Sequence, residues 1–234
     1  MCCGCGKLDA RVSVLTTCYN DGAYLPDALA SLAAQTMPAW ELCFVNNGST
    51  DDTATVIAAF ADRQQRVRVL TQRETTPQPV ALNRCAQLAE APWLVWLNAD
   101  DRLVPDALAT IIEVATAYPE VNCIFSPLQF FGASSAVYDV APYDPATMVD
   151  VHQIPGVRAV RRDLWDRTGG EDEAIAVGAD WDWGVRASRL GLAPYKVLRP
   201  LWHCRKVRGT KRLSDQGNLA ALKAHMRQHL AGAA

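Results

Sequence analysis

The sequence lacks any apolar run that approaches the roughly 20 residues of a membrane-spanning helix. Its first seven residues also lack the apolar core of a signal peptide. We therefore expect a cytoplasmic protein with no membrane span, and peripheral attachment to a membrane stays open. No internal repeat or low-complexity linker divides the 234 residues, so we expect one main domain.

A surplus of basic charge is also missing. The chain has 23 Lys and Arg against 25 Asp and Glu residues, which argues against a general nucleic-acid-binding protein. The eight cysteines do not have the spacing of a four-ligand zinc site. Three of them fall in a tail of residues 1–10 that we expect to be disordered, with soft-metal binding as the alternative. The others stand singly and are expected to be reduced and buried: Cys18, Cys43, Cys85, Cys123 and Cys204.

What the sequence does contain is an alternation of short apolar strands with amphipathic helices. Helices are predicted at 25–33, at 80–88 and at 105–117. A further helix is predicted after residue 52, where Ser49 and Asp52 resemble a capping box. The strands between them are predicted near 12–15, 42–45, 67–70 and 93–97. Because the last of these is apolar throughout, it is typical of a sheet covered on both faces. The pattern predicts an α/β fold with a Rossmann-like, mostly parallel sheet flanked by helices.

The second half of the chain has a looser pattern. It predicts helices near 160–167 and 181–190 and a strand near 195–198. A C-terminal helix is predicted over 214–234, capped by Ser214 and docked on the surface. This less regular half is expected to cover the sheet and to shape the pocket of a second substrate.

The segment from Val95 to Asp101 is an apolar strand that ends in a cluster of oxygen-bearing side chains. In open α/β sheets ligands bind beyond the carboxyl ends of the strands, and hard cations with phosphate substrates take oxygen ligands. The segment therefore predicts a metal and diphosphate site. The alternative is a turn or a helix cap, and a cap is the favoured role for Asp101.

Four motifs follow one another along the chain, at residues 12–20, 46–53, 98–101 and 178–182. Together they resemble the family 2 glycosyltransferases with the GT-A fold. The resemblance implies a nucleoside-diphosphate sugar donor, with a UDP-sugar the first choice, a divalent Mn²⁺ or Mg²⁺, and inversion at the anomeric carbon. It implies a glycan, lipid-linked or other hydroxyl acceptor. The implied domain is 11–213, with 11–101 as its nucleotide-sugar half and 102–213 as its acceptor half.

The resemblance assigns donor contacts to the first three motifs. Thr17, Tyr19 and Asn20 match the first nucleotide-binding loop. Asn47 matches the position that reads the base, where a carboxylate is common; an amide both donates and accepts, so it would still meet a uracil N–H. Asn98 replaces the first carboxylate of the Asp-x-Asp motif and would hold the ribose hydroxyls.

The same resemblance assigns the chemistry to two aspartates. Asp100 matches the metal-binding carboxylate of the Asp-x-Asp motif. Asp180 matches the catalytic carboxylate that would take the acceptor's hydroxyl proton, although Ala179 stands where Glu is common. The alternative for Asp180 is an N-cap of the following helix. Trp181 is the candidate aromatic contact beside it, with core packing as the alternative.

Two later residues complete the candidate site. His203 would be a second metal ligand, and a buried or solvated histidine with a satisfied hydrogen bond is the alternative. Arg205 falls in the basic stretch 199–212, which would be a mobile segment that closes over the diphosphate or simply a solvated loop. The basic residues leave room for an anionic acceptor, but a nucleic-acid acceptor is not indicated.

Two other functions compete with sugar transfer. Asn46, Asn98 and Ala179 would fit a catalytically silent nucleotide-sugar or carbohydrate-binding module, against which the retained Asp100 and Asp180 argue. A nucleotidyltransferase normally has a glycine-rich basic loop after its first strand, and residues 16–22 contain none.

Overall fold

The computed structural model describes residues 10–207 and 218–231, which form an α/β fold as predicted. The helices in these ranges are α1 (Leu25–Ala33), α2 (Thr53–Ala61), α3 (Gln78–Leu88), α4 (Ala107–Ala117), α5 (Arg162–Thr168), α6 (Ala179–Arg189) and α7 (Leu219–Ala231). The strands are β1 (Val12–Cys18), β2 (Trp40–Asn46), β3 (Val67–Thr71), β4 (Trp93–Trp96), β5 (Arg102–Leu103), β6 (Cys123–Phe125), β7 (Leu128–Gly132), β8 (Val137–Tyr138), β9 (Ala159–Arg161), β10 (Pro194–Lys196) and β11 (Trp202–Lys206).

The larger sheet contains the parallel strands that the alternation predicts. Its strand order is β10-β6-β9-β4-β1-β2-β3. Strand β1 pairs in parallel with β2 on one side and with β4 on the other. Because the three strands run in the same direction, their carboxyl ends reach the same edge of the sheet. The first three sequence motifs leave the sheet at this edge.

Two layers of helices cover this sheet. Helices α1, α2 and α4 pack in one hydrophobic core, and α3, α5 and α6 pack in the other. Successive residues of β4 alternate between the two cores, with Val95 in the first and Leu94 and Trp96 in the second. A strand that is apolar throughout is therefore required at this position.

A second, smaller sheet lies beside the carboxyl end of β4. Its strand order is β5-β11-β7-β8. The fully buried Trp202 of β11 donates its indole N–H to the backbone carbonyl of Trp96, with a distance of 2.7 Å. Leu103 of β5 pairs with Trp202 in register. These contacts fix the second half of the chain against the strand exit that carries Asp100.

One predicted helix is two elements in the structure. The segment near 160–167 begins as β9, which inserts antiparallel between β4 and β6, and only then continues as α5. Ala159 and Val160 are both fully buried, one in each core. Burial of successive residues on opposite faces is a property of a strand, and it overrides the helical spacing of the apolar residues.

The capping box predicted for Ser49 and Asp52 is wrong. The Ser49 hydroxyl instead accepts the backbone N–H of Asn20 at 3.0 Å, so it joins the loops that follow β1 and β2. The Asp51 carboxylate accepts the backbone N–H of Thr53 at 3.1 Å, and it also accepts the N–H of Gly22 at 2.8 Å. The polar residues after β2 therefore hold the neighbouring loop.

The five single cysteines are all buried, as predicted. Cys2, Cys3, Cys5 and Ser214 lie outside the described residues, so the predictions for the tail and for the helix cap are not tested.

Helix α7 packs its fully buried Met226 against the second core. Among the helices that the structure describes, none combines the length and the apolar character needed to cross a membrane.

Candidate active site

A cavity of about 490 Å³ lies beyond the carboxyl end of β4. Its volume is within the roughly 300–1,000 Å³ typical of small-molecule sites. The end of β4, the smaller sheet and the start of α6 form its walls. Asn98, Asp100, Asp180, Trp181 and Arg205 all line it. The structure therefore brings the third and fourth motifs together in one cavity.

Asp100 lies in the turn that follows β4, at the wall of the cavity. Burial raises the pKa of its carboxyl group, while the positive charges of Arg205 and Lys206 act in the opposite direction. Both basic residues also line the cavity. The two cationic side chains are suited to a phosphate-bearing ligand, and the carboxylate beside them is suited to a cation.

Asp101 is a brace between the two sheets, and the prediction that it caps a helix is wrong. Its carboxylate accepts the Asn98 side-chain amide at 2.9 Å and the backbone N–H of Arg205 at 2.8 Å. Burial, and then the charge of Asp100, raise the pKa of Asp101 to about 6. Helix α4 begins later, with Asp106 at its N-cap position.

Arg205 is anchored, which contradicts its predicted place on a mobile segment. It belongs to β11, and its guanidinium contacts the Asp27 carboxylate at 2.6 Å and the backbone carbonyl of Asp100 at 3.1 Å. The guanidinium also lies 4.5 Å from the Phe131 ring centroid and 4.8 Å from that of Tyr24. Residues 208–212 of the predicted segment lie outside the described residues.

His203 is not among the residues that line the cavity. On β11 it lies in register with Arg102 on one side and Gln129 on the other. Burial and the charge of Arg102 both lower the pKa of its imidazole. A cationic neighbour disfavours a second cation at this position, so the structure gives no support to the predicted pairing of His203 with Asp100.

Asn20 organises the loop after β1, to which the family resemblance assigns nucleotide contacts. It adopts the left-handed region with φ of 56°, which Asn tolerates better than most residues. Its side-chain oxygen accepts the backbone N–H of Thr50 at 2.8 Å. Tyr19 is 49% exposed, and neither it nor Thr17 nor Asn20 lines the cavity. These residues form a polar surface at the sheet edge next to the cavity.

The Asn47 amide is already occupied, which corrects its predicted role. Its oxygen accepts hydrogen bonds from Gln72 Nε2 at 2.6 Å and from both the backbone N–H and the hydroxyl of Thr76 at 3.0 Å. Its nitrogen donates to the Thr76 carbonyl at 2.8 Å. The oxygen is thus not available to accept a uracil N–H, and the side chain serves mainly to hold the loop before α3.

Asp21 is a residue that the motif analysis missed. Burial, and then the negative charges of Asp100 and Asp51, raise the pKa of its carboxyl group to about 6. Because the charge of Asp100 acts on Asp21, the loop after β1 lies close to the turn that carries Asp100. The acidic residue that follows Asn20 in the first motif was the available signal.

Asp180 lies in the first turn of α6, and Gly178, not Asp180, occupies the N-cap position. The Asp180 Oδ1 atom accepts the backbone N–H of Trp181 at 2.9 Å. Its Oδ2 atom lies so close to Gly156 that a Cβ added there would be 2.9 Å away. The carboxylate therefore rests against a wall formed by the backbone of Gly156, and a larger residue at that position would displace it.

A buried ion pair that the sequence did not indicate supports this wall. Arg158 is fully buried, with its guanidinium 4.8 Å and 4.2 Å from the ring centroids of Trp96 and Trp183. It donates to the Gly156 carbonyl at 3.0 Å and to Glu171 Oε1 at 3.3 Å. Burial raises the pKa of Glu171 to about 7 against the opposing effect of Arg158.

Any divalent cation in this cavity would depend on Asp100. Among the described residues, no three His, Cys, Asp or Glu side chains are grouped to hold a metal ion. Asp100 nevertheless fits the role of a single protein ligand, because its partly desolvated carboxylate lines the cavity. Mg²⁺ is commonly bound through one or two carboxylates together with substrate phosphates. The donor set fits an ion that is shared with a diphosphate.

Comparisons with known proteins agree with the motif analysis. Residues 13–162 match the model of glycosyl transferase family 2. The chain is 27% identical over 228 residues to the O-antigen biosynthesis protein RfbC of Myxococcus xanthus, which is 94% of this chain and 18% of that protein. It is 31% identical over 133 residues to the putative teichuronic acid biosynthesis glycosyltransferase TuaG of Bacillus subtilis, which is 57% of this chain and 50% of that protein. The chain thus spans half or less of the length of both relatives.

Solved structures share the fold. S. aureus TarS 1–349 in complex with UDP-GlcNAc aligns with a TM-score of 0.75 and 16% identity, over 94% of this chain and 70% of that chain. The mannosyltransferase PcManGT from Pyrobaculum calidifontis, in complex with GDP-Man and Mn²⁺, aligns with a TM-score of 0.65 and 18% identity, over 97% and 76%. The predicted GT-A fold is confirmed.

The buried Glu171 predicts a pH dependence of stability. Because its pKa is raised from 4.5 to about 7 in the folded protein, the folded state binds the proton more tightly than the unfolded state between these values. The free energy of unfolding of the wild type should therefore fall, relative to Glu171→Gln, by up to about 3 kcal/mol as the pH rises through this window. Urea titrations at several pH values measure both proteins, and parallel curves would contradict the assignment.

Proposed function

Because the chain belongs to glycosyl transferase family 2, we propose that it transfers a sugar from a nucleoside-diphosphate donor to an acceptor hydroxyl, with inversion. One observation carries the proposal: Asp100 and Asp180, which are far apart in the sequence, line the same cavity. In this proposal one aspartate serves the leaving diphosphate and the other the incoming hydroxyl.

The donor half of the proposed site lies between the first loop and the turn after β4. Asn20 shapes the loop on which Thr17 and Tyr19 are exposed or partly exposed, and the nucleoside would lie along this surface. The diphosphate would lie between Asp100 and the basic Lys206, which line the cavity together. A bound Mn²⁺ or Mg²⁺ at Asp100 would supply positive charge that stabilises the departing diphosphate.

The acceptor half of the site depends on Asp180. As the acceptor oxygen forms its bond to the anomeric carbon, the bond from that carbon to the diphosphate oxygen breaks, and the Asp180 carboxylate takes the hydroxyl proton. Attack on the face opposite the leaving group inverts the configuration. A modest base suffices, because the hydroxyl becomes acidic only as the new bond forms.

The proposed donor is a UDP-sugar and the proposed acceptor a glycan or lipid-linked glycan. The TarS structure contains UDP-GlcNAc and the PcManGT structure GDP-Man with Mn²⁺, so both bases stay within the proposal. Asn47 does not decide between them, because its oxygen is occupied. The two relatives carry names from O-antigen and teichuronic acid biosynthesis, which supports a glycan acceptor. A cytoplasmic location stays a prediction.

Nucleotide binding tests the donor half. We expect UDP or another nucleoside diphosphate, with Mn²⁺, to raise the Tm, because a ligand at about 100 times its Kd adds roughly 2.7 kcal/mol of stability. A thermal-shift panel of nucleoside diphosphates with and without Mn²⁺ measures this. Asp100→Ala should lose the metal-dependent part of the shift, whereas the control Asp106→Ala, outside the cavity, should keep it. No shift with any nucleotide would contradict the proposed donor site.

Substitution of the proposed base tests the acceptor half. Asp180→Asn should keep the nucleotide-induced shift but lower kcat for release of UDP from the donor sugar by about 100-fold or more, because it removes the proton acceptor. Release is measured with UDP-sugars, and water or an added glycan serves as the acceptor. The control Asp172→Asn alters a carboxylate outside the cavity. An Asp180→Asn protein with wild-type turnover would remove this residue from the reaction.

The wall at Gly156 gives a separate prediction. Gly156→Ala places a Cβ against Asp180 Oδ2, and because a misplacement of about 1 Å can cost about 100-fold, kcat should fall by about 10- to 100-fold. The Tm should change little. Gly169→Ala is the matched control. A Cβ at residue 169 has open space, but the backbone φ of 72° is unfavourable for alanine, so this variant should lower stability by about 1 kcal/mol and leave kcat unchanged. Equal kcat for the two variants would contradict the prediction.

A further inference from the structure

His152 lies against the proposed base, and the reaction described above does not use it. Its Nε2 atom is 3.6 Å from Asp180 Oδ2, and the residue lines the same cavity. Within the part of the chain that the structure describes, this buried nitrogen has no hydrogen-bond partner. Buried polar atoms are nearly always hydrogen-bonded, so an unpartnered one beside a catalytic carboxylate needs an explanation.

The imidazole ring is held in place by Trp181. The two rings stack with their centroids 5.3 Å apart and an interplanar angle of 11°. The Trp181 indole is itself fixed, because its N–H donates to the Met148 carbonyl at 2.5 Å. The ammonium group of Lys223 lies 5.5 Å from the indole ring centroid. The stack thus fixes the plane of the His152 ring beside Asp180.

The chemistry of the two groups favours one tautomer. An ionised carboxylate accepts hydrogen bonds but cannot donate them, so an Nε2 lone pair directed at Asp180 would be repelled. A hydrogen on Nε2 makes the same contact attractive. Hydrogen bonds between catalytic groups are often long before substrate binds and shorten in the reactive complex. The separation of 3.6 Å is consistent with such a bond.

We propose that His152 is a positioning residue for Asp180. It donates Nε2–H to Oδ2 of the carboxylate, while the backbone N–H of Trp181 holds Oδ1. With both oxygens fixed, a remaining lone pair of the carboxylate is directed at the acceptor hydroxyl. The inference rests on the proposed function and adds to it a residue that none of the four motifs contains.

Two substitutions at the same position separate this role from simple packing. His152→Phe keeps an aromatic ring on Trp181 but removes the N–H, whereas His152→Gln keeps an N–H at the place of Nε2 but removes the ring. We expect His152→Phe to lower kcat for UDP release by about 10- to 100-fold. His152→Gln should stay within about threefold of the wild type, because the side-chain amide can donate to the same oxygen.

The controls separate positioning from binding and from folding. The KM for the donor sugar and the nucleotide-induced thermal shift should be unchanged in both variants, since Asp180 does not hold the donor. His225 forms the same type of pair, 3.2 Å from Asp172, away from the cavity. His225→Phe and His225→Gln should therefore both keep wild-type kcat. In an Asp180→Asn background, His152→Phe should cause no further loss.

The result that would overturn the inference is the opposite order of activities. If His152→Phe equals or exceeds His152→Gln in kcat, the hydrogen bond is not what sets the activity, while the proposed function survives. If the wild-type protein neither binds a nucleotide nor releases UDP from any donor, the proposed function fails and the positioning role fails with it. The two failures are distinguished by the wild-type measurement alone.

Discussion

One buried carboxylate, that of Asp101, joins the two sheets at the point where the cavity forms. It accepts the side-chain amide of Asn98 at the end of β4 and the backbone N–H of Arg205 in β11. A buried carboxylate is costly unless such donors satisfy it, and the pKa of about 6 reflects that cost. Because Asp101 takes these donors, the adjacent Asp100 is left to face the cavity with Lys206. The acidic group that faces the cavity thus depends on its buried neighbour.

The opposite wall depends on a second buried charge. Arg158 lies between two tryptophan rings and holds the Gly156 carbonyl and Glu171, and through Gly156 it sets the wall against which Asp180 rests. Replacement of a buried ion pair by apolar residues is often neutral or stabilising, so stability alone does not explain why such a pair is present. Its effect here is geometric, because it fixes a glycine backbone beside a carboxylate.

The parts of the structure that the sequence predicted are those that follow from local periodicity. The parallel strands were predicted because a strand covered on both faces must be apolar throughout, as β4 is. The antiparallel β9 was missed because three residues carry too little pattern to distinguish a strand from the start of α5. Arg158 was grouped with the basic residues that leave room for an anionic acceptor, and its burial was not predicted because its partners, Trp96 and Glu171, are brought to it only by the tertiary fold. Likewise, no local pattern reveals that Thr76 would occupy the Asn47 amide.

The departures from the family motif also have a physical explanation in this fold. An aspartate in place of Asn98 would bring a third carboxylate next to Asp100 and Asp101, and Asp101 would lose the amide donor that Asn98 provides. Like charges at such proximity oppose ionisation, so the extra carboxylate would weaken the brace. Asn98 therefore supplies the buried Asp101 with a hydrogen-bond donor, which an ionised carboxylate at the same position could not do.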